Sequence, residues 1–418
     1  MRVITDLHIH SRYSRACSKQ LDLPNIAKWC EIKGIDVVGT GDFTYPAWFK
    51  SIQEDLEEVG AGIFALKNNK SKTRFLLSTE LSLIYKQGDK VRRVHLCVLL
   101  SKIKSLQKLI SLLEARGCNL KSDGRPILGM HCPELVKMVL EADPSALIIP
   151  AHAWTPHFAV FGSGSGFDSL EECFEDTTEN IFAIETGLSS DPKMNWQWSK
   201  LDNISLVSNS DAHSLRNLGR EANVFVVDNF DYKTLYHILK TRNKEKFAYT
   251  IEFYPEEGKY HYDGHRACNI SFTPSETKKH NGICPSCKKK LVLGVMNRVA
   301  SLSDRPGNFL AKNRVPYKSI VPLEIIISEA VGKGVGTKSV AVIYEKMISE
   351  LGNEFGILLD QSIKEIARFA PEAVVRGIEN MRQNKLFIEP GFDGVFGKVK
   401  LFKAGEKTIP VQSKIIIS

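Results

Sequence analysis

Short apolar runs alternate with longer amphipathic stretches through the first half of the chain, and most runs end in an imidazole or a carboxylate. The runs predict strands over Val3–Thr5, Asp36–Gly39, Phe75–Ser78, Val94–Leu100, Ala146–Ile149, Ile181–Ile184, Ile204–Val207 and Asn223–Val227. Between them lie helix signals. Asp22-Leu23-Pro24 supplies a cap residue and an early proline, and Lys102–Ala115 carries a second amphipathic stretch. This rhythm predicts a parallel β/α layout, with a barrel as its closed form.

Active sites of β/α barrels lie at the C-terminal ends of the strands. After the first predicted strand come His8 and His10, spaced i and i+2, so that an extended chain aims both rings at one point. Asp42, Glu80, His152, Glu185, Asp211 and His213 follow later strands in the same way, whereas His95 comes early in its own. Mixed imidazole and carboxylate donors suit zinc, manganese or iron. Asp42 and Glu185 read either as carboxylates that orient these ligands or as structural groups bonded to backbone. His131 and His157 lack a strand-end position and read as surface or packing residues.

A chain of 418 residues predicts roughly two or three domains. Its 43% hydrophobic and 25% charged residues describe a globular protein, and neither a long apolar run nor a signal peptide is evident. The expected location is cytoplasmic, nucleoid-associated, with no membrane partner. Nine scattered cysteines suit a reducing compartment better than a disulfide framework. Residues 1–220 hold 26 basic and 26 acidic side chains, and the rest of the chain holds 30 and 22. The whole excess of +8 therefore lies in the second half, where it fits ordinary surface lysine or a polyanion-binding face.

The second half carries its own donor set. His265-x-x-Cys268 and Cys284-x-x-Cys287, fifteen residues apart, predict a four-ligand structural zinc site. His261 and His280 compete with His265, which is preferred for its spacing. Lys288, Lys289 and Lys290 flank this ribbon, as a solvated face or a grip on phosphate. Residues 301–322 read as a linker. Leu323–Ala330, Ser339–Leu351 and Ile363–Phe369 read as helices, and Lys398–Phe402 as a strand after glycine-rich turns. The 332–338 stretch lacks the spacing of a phosphate loop and reads as a turn between helices.

The set His8-x-His10, Glu80, His95, His152 and Ser210-Asp211-Ala212-His213 resembles the PHP (polymerase and histidinol phosphatase) superfamily. PAHAWTPHFAVFGSGSGFDSLEECF, FAIETGLSSDPKMNW, LVSNSDAHS, LGREANVF, NGICPSC and PGFDGVFGK extend the resemblance to endonuclease Q over nearly the whole chain. The resemblance implies a distorted β/α barrel of PHP type, then a small zinc-binding segment and an α+β C-terminal domain. The expected divisions are 1–245 for the barrel, 246–300 for the ribbon, 301–322 for the linker and 323–418 for a helical DNA-binding domain. It implies a nuclease nicking DNA 5′ to hypoxanthine, uracil, xanthine and abasic sites, with Zn2+ in the cluster and Mg2+ or Mn2+ as alternatives for turnover.

Carried over by position, one metal takes His8, His10, Glu80 and Asp211. A second shares Glu80 and adds His95, His152 and His213. Phe43 stands where the pattern has a histidine for a third metal, and two metals are expected. The resemblance implies single- or double-stranded DNA with deaminated or abasic nucleotides as the substrate, with replication or repair clamp proteins as further expected partners. Trp154, Phe158 and Phe161, beside His152, read either as base-reading aromatics or as simple loop packing. A small-molecule phosphatase and a non-catalytic nucleic-acid module are the competing functions.

Overall fold

The computed structural model describes residues 1–67, 69–309, 311 and 314–403. Its main sheet runs in the order Tyr317–Ser319, Phe247–Glu252, Ala222–Val226, Arg2–Asp6, Val37–Gly39, Arg74–Gln87, Ile63–Leu66 and Leu56–Gly60. Lys90–Leu100 pairs with both Arg74–Gln87 and Leu147–Pro150 and curls the sheet round. Ala183–Glu185 and Ser205–Val207 form a parallel pair that continues the wall. The result is the distorted β/α barrel with smaller appended parts that the sequence predicts.

The sheet is mixed rather than parallel. Arg2–Asp6 pairs parallel with Val37–Gly39 but antiparallel with Ala222–Val226. Lys90–Leu100 runs antiparallel to Arg74–Gln87, with Ser82 opposite His95 and Glu80 opposite Cys97. This reversal explains His95. In an antiparallel strand the early residues lie at the end where parallel strands finish. Ser82 and Glu80 share a face, as do His95 and Cys97, so His95 and Glu80 project to the same side.

The first helix is Leu23–Lys33. The Asp22 side chain accepts from Asn25 N–H, Pro24 occupies the first turn, and Gly34 ends the helix at φ 88°. Leu23, Ile26, Ala27 and Cys30 are buried against the sheet. Ile103–Ala115 buries Leu106, Leu109 and Leu113 in the same way. No helix among the described residues is long and apolar enough to cross a membrane.

Two of the expected divisions move. Phe247–Glu252 belongs to the barrel sheet, so the barrel runs past residue 245. Within 301–322, Ser301 and Leu302 end a helix that begins at Val295, and Tyr317–Ser319 is an edge strand parallel to Phe247–Glu252. Composition conceals that strand, because its pairing partner lies some 67 residues earlier. In the C-terminal part, Leu323–Val331 packs with both Lys338–Leu351 and Glu372–Arg382, the latter a helix the sequence reading omits. The expected helix over Ile363–Phe369 stops at Ile366, and the final strand pairs Phe387–Glu389 with Lys398–Lys400.

The C-terminal helices are fastened to the barrel by a buried ion pair. Lys33 Nζ lies 2.7 Å from Glu354 Oε2, and Glu354 also accepts from Leu323 N–H (3.0 Å) and Tyr344 Oη (2.6 Å). Truncating one partner leaves the other charge buried and unmatched. Lys33→Ala is therefore expected to destabilise the C-terminal part by about 3–5 kcal/mol. Urea unfolding followed by limited proteolysis checks this; a loss below about 1 kcal/mol would mean that the pair is dispensable.

Candidate metal centre

Glu80, fully buried, is the hub of the site. Its Oε1 lies 2.7 Å from His95 Nδ1 and 3.0 Å from His152 Nε2. Its Oε2 lies 3.2 Å from His10 Nε2 and 3.5 Å from His8 Nε2. The two carboxylate oxygens thus face two different imidazole pairs. Asp211 Oδ1 joins the second pair, 3.1 Å from His10 Nε2 and 3.7 Å from His8 Nε2. The donor atoms form two compact groups, His8, His10, Glu80 and Asp211 in one and Glu80, His95 and His152 in the other.

His213 departs from the expected assignment. The resemblance sets it with His95 and His152, yet its ring centroid lies 4.6 Å from that of His10, and its Nδ1 lies 2.8 Å from the Asp211 carbonyl. The tight turn at Asp211 (φ 47°) folds the following residues back towards His10.

A second layer of carboxylates fixes the imidazoles. Both Glu185 oxygens lie 3.1 Å from His8 Nδ1, and Asp42 Oδ1 lies 3.0 Å from His10 Nδ1. Each ring's Nδ1 is engaged outward, which leaves Nε2 facing the hub. Asp42 Oδ2 is itself held by Ser11 N–H (2.6 Å), Ser11 Oγ (2.7 Å) and Ser14 Oγ (2.8 Å). Glu185 also accepts from His152 N–H (2.8 Å) and Asn209 Nδ2 (2.9 Å). The two carboxylates combine both roles left open by the sequence.

The backbone is bent to make this possible. Asp42, His152 and Asp211 all have positive φ (46°, 32° and 47°), costly for residues with a Cβ and typical of functional sites. Gly187 (φ 62°) passes so close to His152 that an added Cβ would meet His152 Cβ at 2.6 Å. Asp6 locks the Asp211 loop by accepting from Ser210 N–H and Gly219 N–H, each at 3.0 Å.

The residues fit divalent cations. His8 Nε2 is buried and has no hydrogen-bond partner, an orphan that a cation would satisfy. Burial pushes the His95 ring down to about 4 despite Glu80 beside it. Burial opposes ionisation of Glu80, but His95, Arg125 and His8 outweigh it and hold the carboxyl well below its usual range. Four imidazoles around two carboxylates are donors for zinc, manganese or iron.

Two sequence expectations about aromatic groups change. Trp154 and Phe161 are fully buried, with ring centroids 4.9 Å apart and Trp198 beside both. Trp154 Nε1 donates to Asn195 Oδ1. They are core residues and offer no face to a base; local composition cannot tell a packed aromatic from a presented one. Phe158 is half-buried and lies 4.8 Å from the His95 ring, at the edge of the centre. His131 is exposed and stacked on Tyr85, and His157 is exposed.

Arg125 is a group that the sequence reading missed: its Nη1 donates to Glu80 Oε2 at 2.8 Å. A cavity of about 450 Å³ adjoins the centre, lined among others by Thr155, Arg220, Phe253, Tyr260 and Phe396. Thr155 Oγ1 lies 3.1 Å from His152 Nδ1, and Arg220 donates to the carbonyls of Ser210 and Asp211.

The second donor set also comes together. His265, Cys268, Cys284 and Cys287 form one compact group, with Cys287 Sγ 3.6 Å from His265 Nδ1. The two competing histidines lie elsewhere: His261 is buried away from the sulfurs and His280 stacks on Phe272. A tight turn carries Cys284 and Cys287, and the exposed Lys288, Lys289 and Lys290 leave it directly.

The MJ0043 C-terminal domain family model matches residues 322–385. The uncharacterized protein YqxK of Bacillus subtilis is 29% identical over 96% of this chain and 99% of its own length. The uncharacterized protein MJ0043 of Methanocaldococcus jannaschii is 34% identical over 59% of this chain, a match that spans 31% of that longer protein. Endonuclease Q in complex with a 27-mer duplex substrate bearing an abasic lesion at the active site matches with a TM-score of 0.83. The identity is 32%, covering 98% of this chain and 100% of that one. The lesion-specific endonuclease PfuEndoQ from Pyrococcus furiosus gives a TM-score of 0.85 at 32% identity, with 97% of each chain covered. Agreement of sequence and fold over almost the full length of both chains places this protein in the endonuclease Q family.

Proposed function

We propose that the chain is a metal-dependent DNA repair endonuclease that hydrolyses the phosphodiester 5′ to deaminated bases, namely hypoxanthine, uracil and xanthine, and at abasic sites. The observation that carries the reading is Glu80, with its two oxygens turned to separate imidazole pairs, in a chain that matches an endonuclease bound to abasic duplex. His8, His10, Glu80 and Asp211 would hold one cation, and Glu80, His95 and His152 the other. Such cations supply Lewis-acid stabilisation of phosphoryl oxygens and a water of lowered pKa. Zinc fits the donors, and magnesium or manganese would also support the chemistry.

The protein's own groups do the rest. Asp42 and Glu185 keep the Nε2 lone pairs of His10 and His8 directed at the hub. The cavity beside His152 is large enough for a nucleobase, and it combines aromatic walls, Phe253, Tyr260 and Phe396, with the polar Thr155 and Arg220. A base swung out of the stack would be read there, while Phe158 lies against the His95 ring at the edge of the centre. His265, Cys268, Cys284 and Cys287 would hold a structural zinc, giving rigidity to a segment poor in apolar residues.

The direct experiment is cleavage of oligonucleotides containing one deoxyuridine, one deoxyinosine or an abasic site, against phosphate release from histidinol phosphate. Nicking of the first group supports the reading, and phosphate release alone would overturn it. Asp211→Asn should keep the fold and DNA binding yet abolish nicking, because a neutral amide is a poor cation ligand. Activity within about tenfold of wild type would remove Asp211 from the mechanism. Cys284→Ser with Cys287→Ser should lower the melting temperature and release about one equivalent of zinc while the barrel keeps its metals. Unchanged zinc by elemental analysis would refute the ribbon.

General affinity and damage preference should separate. The barrel half is neutral, so replacing Lys288, Lys289 and Lys290 with alanine should weaken damaged and undamaged duplex alike and flatten the salt slope. Phe158→Ala should spare undamaged binding and erode the preference for deoxyinosine. Phe161→Ala should instead cost stability, about 3–5 kcal/mol. Salt titrations on matched oligonucleotides test the division, which fails if the lysine variant loses discrimination.

A further inference from the structure

Arg125 stands where a metal centre has least use for it. A guanidinium 2.8 Å from Glu80 Oε2 competes with any cation for that carboxylate and repels the cation itself. Glu80 already has four imidazole nitrogens within 3.5 Å, so it has no need of a further buried partner. Such a placement makes chemical sense when the site must also receive an anion.

The position of Arg125 is built rather than incidental. Gly124 N–H donates to Tyr13 O at 3.0 Å, and an added Cβ at Gly124 would meet Asp42 Oδ2 at 2.5 Å, so this turn sits directly on the carboxylate that orients His10. Asp123 Oδ1 accepts from Arg125 N–H at 2.9 Å, and the Pro126 carbonyl accepts from Ser82 N–H at 3.1 Å, two residues along the strand from Glu80. The Arg125 side chain keeps 25% of its surface exposed, and among the described residues its Nε and Nη2 make no hydrogen bond within the protein. The fork is thus tethered by one nitrogen and has free donors at the mouth of the centre.

We propose that Arg125 is a catalytic residue that binds a non-bridging oxygen of the scissile phosphodiester and neutralises charge gathering there in the transition state. This rests on the endonuclease reading above. Planar guanidinium donors match phosphate geometry, and a cation aimed at developing phosphoryl charge is worth more there than in the ground state. In the hydrolysis, the water oxygen forms a bond to phosphorus and the bond from phosphorus to the 3′-oxygen breaks. The water gives up its proton and the 3′-oxygen takes one. Arg125 donates hydrogen bonds throughout and neither gains nor loses a proton.

The test pairs kinetics with binding. In the metal-supplemented protein, Arg125→Ala should lower kcat on deoxyuridine-containing duplex by about 10²–10³-fold, with Arg125→Lys in between. Metal content and melting temperature should stay at wild-type values. Binding is compared in the Asp211→Asn background, where hydrolysis is blocked, on duplexes carrying either a phosphodiester or an uncharged methylphosphonate at the scissile position. With Arg125 present the methylphosphonate should weaken binding about tenfold, and with Arg125→Ala by less than about twofold. An equal methylphosphonate penalty in both would overturn the proposal, as would loss of metal in Arg125→Ala, which would make Arg125 a structural partner of Glu80. A wild-type protein inactive on every damaged duplex would sink the endonuclease reading instead, and the binding comparison would still decide whether Arg125 meets phosphate.

Discussion

Burying an ionised carboxylate without compensation is among the most expensive things a fold can do. Glu80 lies on a central strand with no exposed surface, and the rest of the site is arranged round that fact. His95 comes from the antiparallel neighbour, His152 from the next strand's end, and His8 and His10 from beyond the first strand. Remove the carboxylate and four imidazoles face one another across an empty centre. Keep it, and each needs an outward partner, which Glu185 and Asp42 supply to His8 and His10.

The chain then closes on itself through this network. Asp211 N–H donates to the His8 carbonyl and His10 N–H to the Ala212 carbonyl, so two segments some 200 residues apart are stitched directly at the site. Asn209, which donates to Glu185, also accepts from Leu7 N–H at 2.9 Å. The positive φ values of Asp42, His152 and Asp211 are sustained because each residue is held from both sides. Gly41 and Gly187 give the room: an added Cβ at Gly41 would meet the Ile9 carbonyl at 2.4 Å.

What could be read in the sequence follows from how local each signal is. His8 and His10 are legible because i and i+2 share a face of an extended chain, and the ribbon because two x-x pairs carry their own geometry. His95 looks out of place until the strand direction is known, since direction depends on pairing. Arg125 carries no local signal at all; its value comes from a contact with a residue 45 positions earlier. Trp154 and Phe161 mislead because burial and presentation produce the same letters. The strand Tyr317–Ser319 is hidden in a polar segment for the same reason: its stability comes from Phe247–Glu252 and not from its own composition.

The excess positive charge of the second half is also part of what holds that half in place. Arg305 and Arg314 both pair with Asp202 of the barrel, and Lys33 of the barrel pairs in the opposite sense with Glu354. Arg298, on the helix that follows the ribbon, donates to the carbonyls of Phe161 (2.9 Å) and Phe167 (2.8 Å) and to Asp168 (2.7 Å). Those residues belong to the loop that starts from His152. A side chain of the basic half therefore fixes the backbone of the segment that places Phe158 beside His95. Lys289 and Lys290 are exposed, Lys288 Nζ donates to the Pro285 carbonyl, and the partly buried Arg298, Arg305 and Arg314 register the two halves.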